Sequence, residues 1–173
     1  LLDREKVYGY DDDSERFTAF QIAVLDWVSA WEHRPDVIHV HDHHTGLIPF
    51  MLKHCFKYRN IKSIPTVLTI HNAQYQGWMD WADSKMIPAW DTWSWGMLDW
   101  ANKINPLASA IKCADKVTTV SPSYRDELKY MSNGLEDLFE YEKGKCVGII
   151  NGIDADVWDP ATDTYLQNHY SIK

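Results

Sequence analysis

The chain contains, at residues 36–44, the stretch Asp36-Val37-Ile38-His39-Val40-His41-Asp42-His43-His44. The segment 36–40 is short and rich in β-branched side chains, which is typical of a buried strand. The residues that follow are imidazoles and a carboxylate, with no lysine or arginine among them. In open α/β sheets, functional side chains gather just past the carboxyl ends of the strands. This stretch therefore predicts one strand of such a sheet and part of its functional edge.

The rest of the chain repeats this alternation. Further strands are predicted at residues 64–70, 116–120 and 147–150. Helices are predicted from Ser14 to near Pro35 and then over residues 46–58, 105–114, 121–131 and 134–141. Apolar strands separated by helices predict an α/β fold, a Rossmann-like parallel sheet with helices on both faces.

Each predicted strand leads into hydrogen-bonding side chains. The three later segments are His71-Asn72-Ala73-Gln74-Tyr75-Gln76-Gly77, Ser121-Pro122-Ser123-Tyr124 and Asn151-Gly152-Ile153-Asp154. None of them contains a lysine or an arginine. Amide, imidazole and carboxylate groups without cations are typical of a site that binds neutral hydroxyl groups, and we expect a polyol there.

Composition excludes several classes of protein. The 173 residues are 45% hydrophobic and carry a formal net charge of −8. This charge argues against a nucleic-acid partner, which needs clustered basic residues. The sequence contains no uncharged apolar run of about 18 residues, so no transmembrane helix is predicted. The three cysteines lack CxxC spacing, which favours free thiols in the cytoplasm.

Two features allow other functions. The imidazoles and carboxylate of residues 39–44 suit a metal-dependent hydrolase, although the HxHxDH pattern would need Asp where His43 stands. Six of the nine tryptophans lie between residues 71 and 103, where helical periodicity fails. They allow a non-catalytic glucan-binding module, or a small local core without function.

Taken in order, these motifs resemble those of bacterial and plant starch and glycogen synthases. The segments that match are residues 35–47, 69–77, 120–124, 134–136 and 151–163. The resemblance implies a retaining glycosyltransferase of the GT-B type, in which two Rossmann-like domains face each other. Such enzymes move glucose from a nucleotide sugar, usually ADP-glucose, to the non-reducing end of an α-1,4-glucan.

The resemblance also implies a place for this chain and roles for its residues. Residues 1–150 would be part of the N-terminal Rossmann-like domain, and 151–173 the start of the interdomain linker. His71 would be the catalytic imidazole beside the transferred glucose, and Asp42 the catalytic carboxylate. The substrate-binding residues would be Asn151, Asn72, Tyr75 and His44. No metal ligand and no resident cofactor are expected, because the nucleotide sugar is a substrate.

Parts of the family pattern are absent from this sequence. It has neither the Lys-x-Gly-Gly phosphate loop nor the second domain that holds the nucleotide, and it begins Leu1-Leu2 without an initiator Met. We therefore expect a fragment of a longer product that is inactive alone and needs the C-terminal Rossmann-like domain as its partner. His43 also departs from the family, which commonly has Trp at this position.

Overall fold

The computed structural model describes residues 3–171 and contains a four-stranded parallel sheet. Its strands are β1 (Ile38–His41), β2 (Thr66–Ile70), β5 (Lys116–Thr119) and β6 (Cys146–Gly148), in the order β1-β2-β5-β6. A two-stranded antiparallel hairpin is formed by β3 (Asp99–Trp100) and β4 (Lys103–Ile104). The helices are α1 (Asp13–Ala30), α2 (Ile48–His54), α3 (Pro106–Cys113), α4 (Pro122–Glu127) and α5 (Glu136–Tyr141). The predicted α/β fold is confirmed.

The core lies between one face of the sheet and a layer of helices. Val40, Leu68, Val117 and Cys146 are paired in register across the four strands, and all four are buried. Because side chains alternate along a strand, this row points to one face. Helices α1, α2, α3 and α5 contact one another in that order and form the layer. The register therefore fixes which side chains reach the opposite face.

The opposite face is polar and partly open. His39 is exposed, Thr69 and Thr118 are half-buried, and Val147 is exposed. The Thr69 hydroxyl lies 2.6 Å from His39 Nε2 and 2.6 Å from the Thr118 hydroxyl. The strands were treated as apolar throughout, whereas β2 and β5 alternate between buried and more exposed side chains.

Helix starts follow the sequence signals in two of three cases. Asn105 caps α3 by accepting a hydrogen bond from the Ala108 amide, and Ser121 caps α4 in the same way from Tyr124. The first helix differs, because α1 begins at Asp13 and Ser14 lies inside it. Proline follows both observed caps, which explains why these two starts were easier to identify.

The buried face of α1 does not follow its apolar pattern. The apolar residues that recur at helical spacing in α1 include Phe20 and Trp27, and both are exposed. The helix buries the polar side chains of Arg16 and Gln21 as well as apolar residues. Arg16 pairs with Asp13 in the same turn at 2.9 Å, and Gln21 Oε1 accepts from the distant Leu47 amide at 2.7 Å. An apolar pattern encodes neither contact.

The tryptophan-rich segment after β2 has little regular structure, as expected, but the β3–β4 hairpin was missed. Its turn residues Ala101 and Asn102 have φ values of 51° and 64°. Two positive φ values are typical of the tight turn that joins short antiparallel strands. The usual sequence signal for this turn is Asn-Gly or Asp-Gly, and Ala-Asn does not carry it.

Beyond β6 the backbone has no helix or strand up to residue 171, and most of its side chains are exposed. The Ile149 amide still donates to the Thr119 carbonyl at 2.8 Å, so parallel pairing extends slightly past β6. Among the described residues, no helix combines the length and apolar character needed to cross a membrane.

Substitution of Gly148 tests how closely β6 packs against the start of α4. A Cβ at this position would collide with the backbone of Ser121 and Pro122. We predict that Gly148→Ala lowers the free energy of unfolding by about 1–3 kcal/mol, the usual cost of overpacking. Chemical denaturation of the chain measures this change.

Gly144 provides the matched control, because a Cβ there would meet nothing within 4 Å. Gly144→Ala should change the unfolding free energy by less than about 0.5 kcal/mol. Equal effects of the two substitutions would contradict the close approach of β6 to α4.

Candidate active site

The site is organised around Asp42, the first residue after β1. Its amide donates to the Thr69 carbonyl at 3.0 Å, which continues the parallel ladder, and its φ is 51°. Together with a ψ of −166°, this positive φ lies in a region that is essentially restricted to glycine, so the backbone at Asp42 is strained. Asp42 Oδ1 accepts from the His71 amide at 2.8 Å and is 3.4 Å from the Asn72 amide. The carboxylate therefore joins the ends of β1 and β2.

His71 is also held through its side chain. His71 Nε2 lies 3.1 Å from His41 Nδ1, at the end of the neighbouring strand. One of the two nitrogens must carry the proton and the other must accept it. Burial, helped by the nearby imidazoles of His39 and His71, lowers the pKa of His41. This contact leaves Nδ1 of His71 for another partner.

The turn after β2 is fixed by several polar contacts. The Asn72 side chain accepts from the Gln74 amide at 2.9 Å, and the Ala73 amide donates to the Tyr124 hydroxyl at 3.0 Å. The buried Gln76 amide nitrogen donates to the Ser132 carbonyl at 3.1 Å, while its oxygen accepts from Asn105 at 2.8 Å. These contacts tie the turn to α4, to the start of α3 and to the segment before α5.

His43 packs under the same turn. Its Nδ1 lies 3.1 Å from the Tyr75 carbonyl. A Cβ at position 77 would come within 2.6 Å of the His43 ring, and Gly77 has a φ of 73°, so this position favours glycine for two reasons. Burial is the main cause that lowers the pKa of His43 to about 4. His43 is therefore a neutral structural group near neutral pH.

The structure brings together only some of the predicted site residues. Asp42, His71 and Asn72 are in direct contact, and Tyr75 follows on the same turn with its side chain exposed. His44 lies on the α1 side of the edge, where its ring packs edge-on against Phe17 at 4.6 Å. Burial lowers the pKa of His44.

Asn151 lies beyond the last strand of the same edge and is exposed. Within residues 3–171 its side chain forms no hydrogen bond to His71 or Asp42. The expected convergence of the three groups is therefore seen for Asp42 and His71. The contribution of Asn151 stays a prediction.

The imidazoles of residues 39–44 have separate hydrogen-bond partners. His39 contacts Thr69, His41 contacts His71, and His43 contacts the Tyr75 carbonyl. In the part of the chain that the structure describes, no three His, Cys, Asp or Glu side chains are grouped as metal ligands. The geometry thus favours separate hydrogen-bonding roles over the metal-hydrolase interpretation.

Sequence reasoning did not assign Gln76, Tyr124 or His43 to the site, although all three shape the turn that carries His71. Gln76 and Tyr124 stood in strand-end motifs, which was the available signal. Their contacts with residues 132 and 73 depend on the tertiary fold, so spacing alone could not identify them.

The low pKa of His43 makes stability depend on pH. The unfolded imidazole titrates near about 6.5 and the folded one lower, so the unfolded chain binds more protons between these values. The contribution of neutral His43 to the free energy of unfolding is complete above about pH 6.5 and is lost as the pH falls toward about 4. We predict that wild type loses about 1–2 kcal/mol more than His43→Gln over this range, after allowance for solvent screening.

Urea unfolding of both proteins at a series of pH values gives this difference. His33→Gln removes an exposed histidine and should follow the wild-type curve. Parallel curves for wild type and His43→Gln would show that His43 is not held neutral by the fold.

Comparison with known proteins identifies the family. The model of the starch synthase catalytic domain matches residues 1–141. The glycogen synthase of Flavobacterium johnsoniae is 52% identical over 173 residues, covering 100% of this chain and 37% of the relative. That of Streptococcus sanguinis is 41% identical over 96% of this chain and 36% of the relative.

A solved structure gives the same result. The chain is similar to the catalytic domain of starch synthase IV from Arabidopsis thaliana bound to ADP and acarbose, with a TM-score of 0.78 and 29% identity. The match covers 96% of this chain and 35% of that structure, so the chain spans about a third of the length of its relatives. The chain belongs to the starch synthase catalytic domain family.

Proposed function

We propose that the full-length protein containing this chain is a glycogen or starch synthase, a retaining hexosyltransferase that extends an α-1,4-glucan from a nucleotide sugar. The observation that carries the proposal is the contact between Asp42 and the His71 turn, with Oδ1 2.8 Å from the His71 amide. This contact places a carboxylate and an imidazole at the carboxyl edge of a parallel sheet. Ligands of such sheets bind at that edge.

The two catalytic groups have different roles in the proposal. His71 is fixed at Nε2 by His41, so its Nδ1 serves a hydroxyl of the transferred glucose. Asp42 uses Oδ1 for the turn, and its negative charge favours the positive charge that develops at the anomeric carbon. A fixed charge near developing charge is an effective way to stabilise a transition state.

The remaining predicted residues form the surrounding wall. Asn72 and Tyr75 lie on the turn with His71 and would contact sugar hydroxyls, and Asn151 would reach the pocket from beyond β6. His44 is placed near Phe17, so we assign it to the acceptor side rather than to the glucose itself.

The chain supplies the acceptor side of a larger site. In this proposal residues 1–150 belong to the N-terminal Rossmann-like domain and 151–173 begin the linker to a C-terminal Rossmann-like domain. That second domain would bind the nucleotide sugar, with ADP-glucose as donor and no resident cofactor. The three buried free cysteines fit a reducing cytoplasm.

Substitution of His71 tests the catalytic assignment. In the full-length protein, His71→Ala should lower kcat by about 10²–10³-fold, because a group that acts on the transition state is lost. KM for the acceptor should change much less. Incorporation of labelled glucose from ADP-glucose into glycogen measures both, and an unchanged kcat would contradict the assignment.

Asp42 allows the charge to be separated from the structural contact. Asp42→Asn keeps an oxygen that can accept from the His71 amide but removes the charge, whereas Asp42→Ala removes both. We predict that Asp42→Asn lowers kcat about 10²-fold with nearly wild-type stability, and that Asp42→Ala also lowers stability by about 1–3 kcal/mol. Equal kcat in wild type and Asp42→Asn would exclude an electrostatic role.

A further inference from the structure

The imidazole of His41 contacts the imidazole that we assign to catalysis. His41 is the last residue of β1, and its Nδ1 lies 3.1 Å from Nε2 of His71, which follows β2. The centroids of the two rings are 5.3 Å apart. A hydrogen bond between two neutral imidazoles uses one proton, because each ring has one N–H donor and one acceptor nitrogen. The direction of this bond therefore decides which nitrogen of His71 remains unprotonated.

Hydrogen bonds fix the backbone on both sides of the His41 side chain. Its amide donates to Thr45 Oγ1 at 2.7 Å, and the Thr45 hydroxyl donates to its carbonyl at 2.8 Å. His41 is also paired in register with Thr69 of β2, and the next amide, that of Asp42, donates to the Thr69 carbonyl at 3.0 Å. The position of the His41 ring therefore depends only on its two side-chain torsions.

His71 is held at both ends of its side chain. Asp42 Oδ1 accepts from its backbone amide at 2.8 Å, and His41 contacts the far nitrogen of its ring. Only two rotatable bonds separate the backbone of a histidine from its ring. Loss of the ring contact would therefore allow the imidazole to turn while the backbone stays in place.

His39 lies on the same strand as His41 but has a different hydrogen-bond partner. Because side chains alternate along a strand, His39 and His41 lie on one face of the sheet. His39 Nε2 lies 2.6 Å from the Thr69 hydroxyl, and its ring centroid is 4.4 Å from that of His41. This hydrogen bond does not involve His71, so His39 provides a matched control for His41.

Imidazole chemistry determines the direction of the bond between His41 and His71. A neutral histidine in water prefers to carry its proton on Nε2, the nitrogen farther from the backbone. When His71 Nε2 donates to His41 Nδ1, both rings have this preferred tautomer, whereas the reverse direction requires both protons on Nδ1. Burial, together with the nearby imidazoles of His39 and His71, lowers the pKa of His41, which favours a neutral acceptor.

We propose that His41 is a positioning residue: its Nδ1 accepts the Nε2 proton of His71, so that His71 Nδ1 stays unprotonated and accepts a hydrogen bond from a hydroxyl of the transferred glucose. The contact fixes the orientation of the His71 ring and also selects its tautomer. A hydroxyl that donates to Nδ1 keeps its oxygen lone pairs for another donor, so the pair orients that hydroxyl. The assignment of the ligand as glucose rests on the proposed function.

Nitrogen NMR of the full-length protein with isotope-labelled histidine tests the pair directly, at about pH 8, where neutral imidazole predominates. Wild type should show His71 with a protonated Nε2 and an unprotonated Nδ1, and these signals are assigned by their absence in His71→Ala. In His41→Phe, which keeps an aromatic ring without nitrogen, His71 should exchange between both tautomers. His39→Phe should leave the His71 signals as they are in wild type.

Transferase kinetics of the same full-length variants measure the consequence for turnover. His41→Phe should lower kcat about tenfold, because a ring that turns loses its alignment with the substrate, while KM for the glucan changes less than about threefold. His41→Asn places an amide oxygen where Nδ1 can be replaced as acceptor, and should restore kcat to within about threefold of wild type. His39→Phe should keep the wild-type kcat. Recovery with Asn but not with Phe separates the hydrogen bond from ring packing.

The outcomes separate the role of His41 from the proposed reaction. A proton on Nδ1 of His71 in wild type, an unchanged kcat in His41→Phe, or equal losses in His41→Phe and His39→Phe would each overturn the role of His41 in an active transferase. The predicted tautomer with a selective loss in His41→Phe supports it. If the wild-type protein transfers no glucose, the proposed reaction is overturned, and the His71 tautomer in wild type and His41→Phe still supports or overturns the pair.

Discussion

The arrangement of the site depends on one carboxylate between two strands. Asp42 Oδ1 accepts from the His71 amide at 2.8 Å and approaches the Asn72 amide, at the point where the parallel ladder ends and these amides lose their sheet partners. A charged acceptor forms a stronger hydrogen bond with a backbone amide than a neutral acceptor does. The positive φ of Asp42 strains the backbone locally, and the hydrogen bond from the His71 amide offsets this cost. The imidazole that we propose to be catalytic is thereby positioned through its backbone amide as well as through its own side chain.

Much of the sheet and its polar edge could be predicted from the sequence because the relevant signals are local. The strands at 38–41 and 66–70 follow β-branched runs, and the starts of α3 and α4 follow Asn-Pro and Ser-Pro pairs. The rest depends on contacts that apolar spacing does not encode. Gln21 is buried because its side chain accepts from the distant Leu47 amide, and the exposed Trp27 shows that apolar periodicity alone does not determine the buried face of α1.

The same distinction applies to the site. Asp42 and His71 directly follow two neighbouring strands. Because functional side chains gather at the carboxyl ends of parallel strands, the sequence predicts that these two residues lie at the same edge of the sheet. His43 stood in the same motif but turns under the Tyr75 carbonyl, where burial keeps it neutral. Its neighbour His44 packs more closely against Phe17. The centroids of the two imidazole rings are 3.8 Å apart, yet their partners differ, and the sequence motif does not show these partners.

The central claim is that the Asp42 carboxylate holds the backbone of the His71 turn, and amide hydrogen exchange measured by NMR tests it most directly. The account predicts that the His71 amide is protected in the wild-type protein and in Asp42→Asn. In Asp42→Ala it should exchange at least tenfold faster while the amide of Leu68, in the centre of the sheet, stays protected. Equal protection of the His71 amide in wild type and Asp42→Ala would contradict the account.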